Sequence, residues 1–129
     1  MNKIIVEVSV GELLDKISIL EIKKDKIKDS EKLKFILNEH SILKDQFDKN
    51  VKSDEILDKL FQDLKEINAK LWVIEDEKRD CEKNKDFGEK FVKLSRDVHF
   101  LNDDRAKIKL EINNYTGSSI KEIKEYTSY

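Results

Sequence analysis

The chain has 129 residues, the usual size of one domain with a single modest core. Its 26 basic and 28 acidic residues nearly cancel, with the signs interspersed along the chain, so there is no basic stripe for nucleic acid and no polybasic arm for a membrane. With 42% charged and 38% apolar residues, no Pro and three Gly, the apolar minority belongs on the faces of long helices rather than in a strand-and-turn fold.

The N-terminal stretch comes first. Ile4, Val6 and Val8 alternate with Ile5, Glu7 and Ser9, which reads as a short strand or extended arm without an obvious partner strand. The run Ile4-Ile5-Val6 ends at Glu7, too soon for a signal peptide or a membrane span. Ser9-Val10-Gly11-Glu12 has the form of a capping box and opens a helix over 10–28, with Leu13, Ile17, Leu20 and Ile27 on one face. Asp29-Ser30 interrupts the pattern. A second helix over 31–50 turns Leu33, Ile36, Leu37, His40, Leu43 and Phe47 toward the core, with Val51 just beyond. Ser53-Asp54 makes the next break and cap.

The third helix, over 54–83, is the clearest element. Leu57, Leu60, Leu64, Ile67, Leu71, Ile74, Lys78 and Cys81 recur at alternating spacings of three and four, a heptad seam. Asn84-Lys85-Asp86 ends it, and Asp86-Phe87-Gly88-Glu89 resembles a second capping box. The fourth helix, over 87–115, repeats the rhythm through Phe91, Leu94, Val98, Leu101, Arg105, Ile108, Ile112 and Tyr115, with Gly117 as its C-cap. Each would be roughly 45 Å long, and the short connection makes them antiparallel. The expected fold is all-α: an antiparallel helical bundle in one domain, built on a long coiled-coil-like helical hairpin. Ser119-Ile120-Lys121-Glu122 begins a short C-terminal helix or tail over 119–126, whose Tyr126 and Tyr129 suit packing against the hairpin or a partner. Exposed seam on the hairpin makes a homodimer an expectation too.

Few residues carry chemistry. Cys81 is the only cysteine, so no disulfide or cysteine zinc cluster exists within one chain, and a reducing cytoplasm is the expected compartment. Its seam position suits a small hydrophobe. His40 and His99 lack companions at ligand spacing. Seven pairs of acids lie three residues apart, Glu12/Asp15, Glu55/Asp58 and Glu77/Asp80 among them, but roughly six arise by chance at this acid content, so they name no metal site. No metal and no cofactor is expected, and no catalytic residue is identified.

The arginines say more. Of 26 basic residues 23 are Lys; the exceptions are Arg79, Arg96 and Arg105, all on the two long helices. Arg offers a planar fork for bidentate pairing with carboxylate or phosphate, and Arg105 occupies a seam position, where an unpaired charge is costly. Folding at Asn84–Asp86 sets Arg96 opposite Trp72–Asp76, within reach of Glu75 or Asp76, and Arg79 near Glu89. Arg105 falls level with Leu64, so its partner comes from the first helix, with Asp15 or Glu21 as candidates. Trp72, Glu75, Asp76, Arg79, Arg96, Asn102, Asp103, Arg105 and Lys109 thus form a candidate ligand-binding set. The plainer alternative is a set of salt bridges that fixes register between the helices.

Several segments carry a resemblance. They are the run from Val6 to Ile17, Leu20-Glu21-Ile22-Lys23, Leu71-Trp72, Ile74-Glu75-Asp76, Arg79, Glu82, Asn102-Asp103, Arg105-Ala106, Ile108-Lys109, Ile112-Asn113, Gly117-Ser118 and the tail Glu122, Lys124, Tyr126 and Tyr129. Together they resemble an uncharacterised family of small bacterial helical proteins classed as a domain of unknown function. Ser95 and Lys78 depart from its pattern, where alanine and an apolar residue are expected. The resemblance implies a setting near surface-polysaccharide or glycosyltransferase genes. The expected function is a non-enzymatic interaction or accessory module, partnering a surface-glycan enzyme. The alternative is a binding protein or enzyme for a small anionic or nucleotide-sugar ligand.

Overall fold

A computed structural model describes residues 2–121, 123–125 and 127–128. Four helices follow one another, α1 (Val10–Lys26), α2 (Ser30–Asn50), α3 (Glu55–Lys83) and α4 (Glu89–Thr116), so the chain is all-α. Among the described residues there is no strand. Residues 2–8 are exposed and belong to no helix, because a single extended segment has nothing to bond its N–H and C=O groups to. Of the helix or tail expected over 119–126, Glu122 and Tyr126 lie outside the described residues, as does Tyr129, and the remainder is not helical.

The helix ends show how local chemistry sets the boundaries. Ser9 caps α1 by accepting from the Glu12 amide at 3.0 Å, but the capping box is only half made. The Glu12 carboxylate turns across to Lys109 of α4 instead, at 2.7 Å, since a charged partner outcompetes a backbone amide. Asp29 and Asp54 cap α2 and α3 through their carboxylates. The second expected box does not form at all: Gly88 is the N-cap of α4 without a side-chain bond, and Asp86 accepts from the Gly88 amide at 3.2 Å. Gly117 ends α4 with φ 66°, the left-handed conformation that glycine adopts without steric cost.

The core gathers Leu14 and Ile17 of α1, Phe47 of α2, Leu57 and Leu64 of α3, and Ile112 of α4. α1 touches all three other helices, while α2 packs on α1. This leaves the far part of α3 and α4 to pack on each other alone. Cys81 and Leu94 are buried there, but Val73, Val92 and Phe100 are exposed. On α2 only Ile36 and Phe47 are buried, and Leu37, expected inside, is exposed. Two contacts tie the ends of α3 and α4: Tyr115 donates to Asp54, and the Lys78 ammonium sits 5.7 Å from the Phe91 ring centroid.

Candidate functional site

The face of α1 that meets α3 and α4 is polar at its centre. Gly11, Asp15 and Ser18 recur at helical spacing and are all buried. Asp15 is 2% exposed, and a carboxylate so deeply placed requires a full set of donors. Arg105 supplies two, from Nε to Oδ1 at 3.0 Å and from Nη2 to Oδ2 at 2.5 Å, the bidentate fork that Lys cannot make. Asn68 of α3 donates from Nδ2 to Asp15 Oδ1 at 2.9 Å and to Ser18 Oγ at 2.8 Å. The Ser18 hydroxyl in turn donates to the Asp15 carbonyl at 2.8 Å. Lys109 Nζ lies 3.7 Å from Asp15 Oδ2 while it binds Glu12. Two acids of α1 therefore face two bases of α4, with Asn68 joining the third helix.

A second joint lies one turn below. The Gly11 amide donates to Asn113 Oδ1 at 2.7 Å, and the Val10 amide donates to Ser118 Oγ at 3.2 Å. The helices approach so closely that a Cβ on Gly11 would stand 2.6 Å from the Lys109 carbonyl oxygen. Only glycine fits there. Asn113 is almost completely buried, and its Nδ2 has no hydrogen-bond acceptor among the described residues.

Arg105 stands between two shallow depressions. One, of about 240 Å³, is bordered by Glu12, Asp15, Asn102, Arg105, Lys109 and Lys124. The other, of about 330 Å³, is bordered by Asn68, Trp72, Glu75, Asp76, Arg79 and Arg105. The structure thus brings Trp72, Glu75, Asp76 and Arg79 to one side of Arg105, and Asn102 and Lys109 to the other. Asp103 borders a separate depression between α4 and the C-terminal segment.

Arg96 is not part of this group. Instead of meeting Glu75 or Asp76, its guanidinium lies 5.9 Å from the Phe100 ring centroid on its own helix. Arg79 does not pair with Glu89, and neither arginine forms an ion pair with a described residue. The direction of a long side chain depends on the neighbours around it as well as on its height along the helix. Glu21, the alternative partner for Arg105, instead joins His40 of α2 at 3.3 Å and Lys65 of α3 at 3.0 Å.

Sequence reasoning missed Asn68 and Ser18. Asn68 had a readable signal, since it lies beside Leu64 and Leu71 on the inward side of α3; Ser18, between Ile17 and Ile19, had none. Among the described residues, no three His, Cys, Asp or Glu side chains gather as a metal-binding group, and no helix is long and apolar enough to cross a membrane.

Fold and site together define an all-α protein in which a buried aspartate–arginine pair locks the first helix onto the last two. A family model, described as a family of unknown function (DUF6165), matches residues 4–129. The chain belongs to that family. No curated protein and no solved structure matches it significantly.

Proposed function

We propose that this protein is a non-enzymatic interaction or accessory module, in which α3 and α4 form an antiparallel, coiled-coil-like hairpin that presents Trp72, Glu75, Asp76 and Arg79 to a partner protein. The observation that carries this reading is the saturation of Arg105. Both arms of its fork are held by Asp15, itself buried and hydrogen-bonded by Asn68, so the centre of the cluster serves folding. Beside it, Arg79 is exposed and Trp72 half-buried, and these residue types dominate the energetics of protein interfaces. A surface-glycan enzyme in the cytoplasm is the partner class that the family resemblance brings forward.

Biolayer interferometry of the full chain against purified glycosyltransferases of surface-polysaccharide assembly tests this. Binding that W72A or R79A weakens at least about tenfold supports the reading. Binding indifferent to both, or none to any such enzyme, sinks it. R79A should not shift the unfolding free energy by more than about 0.5 kcal/mol, since Arg79 is exposed; W72A also removes a half-buried indole, so its binding is read with helical circular dichroism shown to be unchanged.

A second reading has one observation of its own. Trp72 and Arg79 share a depression of about 330 Å³ with Arg105, which suits a small anion or nucleotide-sugar stacked on the indole. Arg79, with the outer edge of Arg105, would be its anion contact, and Glu75 or Asp76 would do acid–base work. Thermal unfolding with sugar nucleotides and inorganic phosphate separates the two readings. A ligand at one hundred times its Kd adds about 2.7 kcal/mol, and a gain of that size abolished by R79A would favour the second.

A further inference from the structure

The two joints made by α1 differ in kind. Toward α3 and α4 it is bonded through charge: Asp15 and Glu12 hold Arg105, Lys109 and Asn68. Toward α2 the joint is almost wholly apolar. The α2 backbone runs beside α1 and beside no other helix. Only Ile36 and Phe47 of α2 are buried, and Phe47 is the one of them that reaches the central core, with Leu14, Ile17 and Leu57. Among the described residues, a single polar contact leaves α2 for another helix, His40 Nε2 to Glu21 Oε2 at 3.3 Å.

We propose that α2 is a hinged cover, which lifts as a unit while α1, α3 and α4 stay joined, and so opens and closes an apolar face made by Leu14 and Ile17 of α1 with Leu57 and Phe61 of α3. Those four residues line, with Phe47, a depression of about 340 Å³ at the edge of α2, so the closed seam is incomplete there. Non-helical backbone stands on both sides of the cover: Ile27, Asp29, Val51 and Asp54 are all extended, and residues at element ends are where hinge rotation is absorbed. Lifting also orphans no buried polar group. Glu21 keeps Lys65 of α3 at 3.0 Å, and Lys44 keeps Asp48 of its own helix at 3.0 Å. What is lost is the apolar contact of Ile36 and Phe47 and of the half-buried Leu33, Leu43 and Val51. Global unfolding gives up the whole core and the Asp15 bonds besides, so the cover opens at lower free energy. The proposal uses neither Trp72 nor Arg79, and it stands apart from the partner reading.

Native-state hydrogen exchange of the full chain, read amide by amide by NMR, tests this. Residues 34–48 of α2 should be protected at least about a hundredfold less than residues 14–21 of α1 and 60–68 of α3. R105K, whose ammonium cannot form the bidentate fork on Asp15, should lower protection in α1 and α3 about tenfold. It should leave α2 unchanged, because the Asp15–Arg105 pair is intact in both the closed and the lifted state. F47L, which shortens the side chain that holds the cover shut, should lower α2 protection severalfold with unchanged helical circular dichroism. Protection in α2 equal to that in α1 would overturn the proposal, as would a fall in α2 that matches α1 in R105K, since α2 would then leave only when the whole chain unfolds. An α2 indifferent to F47L would overturn it too.

Discussion

The two halves of the α3–α4 pair share one heptad rhythm and are held together differently. Where α1 lies across them, Leu57, Leu64 and Ile112 reach almost complete burial, and Asp15, Arg105, Asn68 and Lys109 sit among them. Toward the connection at Asn84–Gly88 the helices have only each other. Cys81 and Leu94 are buried there, but Val73 and Val92 on the flanks are exposed. An apolar rhythm states which residues turn inward. Whether a third helix arrives is recorded by the polar residues within it, because a charge in a seam survives only where another element brings its counter-charge.

Removing the Asp15 carboxylate should separate the halves most sharply. D15A leaves Arg105 and Lys109 near one another without it, and should cost about 3–5 kcal/mol in urea unfolding. D15L/R105M, which removes the pair together, should recover much of that loss. If it is as unstable as D15A, Asp15 acts through something other than Arg105. Core truncations measure the contrast next. L64A, in the four-helix core, should cost about 4 kcal/mol, and L94A about 2 kcal/mol, because a two-helix layer collapses more readily around the gap. Equal costs would mean that the distal half is as tightly packed as the covered one. In hydrogen exchange, the amides of residues 74–83 and 89–99 should open at lower free energy than those of 57–72 and 101–113.

G11A probes the closest approach of α1 to α4. With backbone oxygen in the way of the new methyl group, a loss of about 1–3 kcal/mol is expected; a neutral result would show that α1 can shift without cost. The smallest effect concerns the exposed end of the pair. The Tyr115 hydrogen bond holds Asp54 below the ordinary 3.8 and raises the Tyr115 hydroxyl above the ordinary 10.0. The Asp54 contribution to stability is therefore present above about pH 3.8 and lost as pH falls through its lowered value. That of Tyr115 is present below about pH 10.0 and lost as pH rises through its raised one. In an NMR titration Y115F should move Asp54 back toward 3.8. An unchanged Asp54 would leave its cap bond to the Leu57 amide as the dominant cause.

Much of this was legible in the residues themselves. Periodicity and capping chemistry are local: Ser9, Asp29 and Asp54 cap the starts of α1, α2 and α3, and Gly117 caps the end of α4. The rarity of Arg among the cations, and the seam position of Arg105, marked the centre of the polar cluster and the need for a carboxylate on the first helix. Asp15 rather than Glu21 fills that role because its stripe on α1 faces α4, whereas Glu21, further along, turns toward α2 and α3. Only the packing of α1 could decide that, as it decided that Asn68 and Ser18 complete the shell of Asp15. It also left Arg79 and Arg96 without the partners that axial register suggests. Register along a helix follows from a constant rise per residue, but the direction of a long side chain depends on which neighbours occupy the space around it.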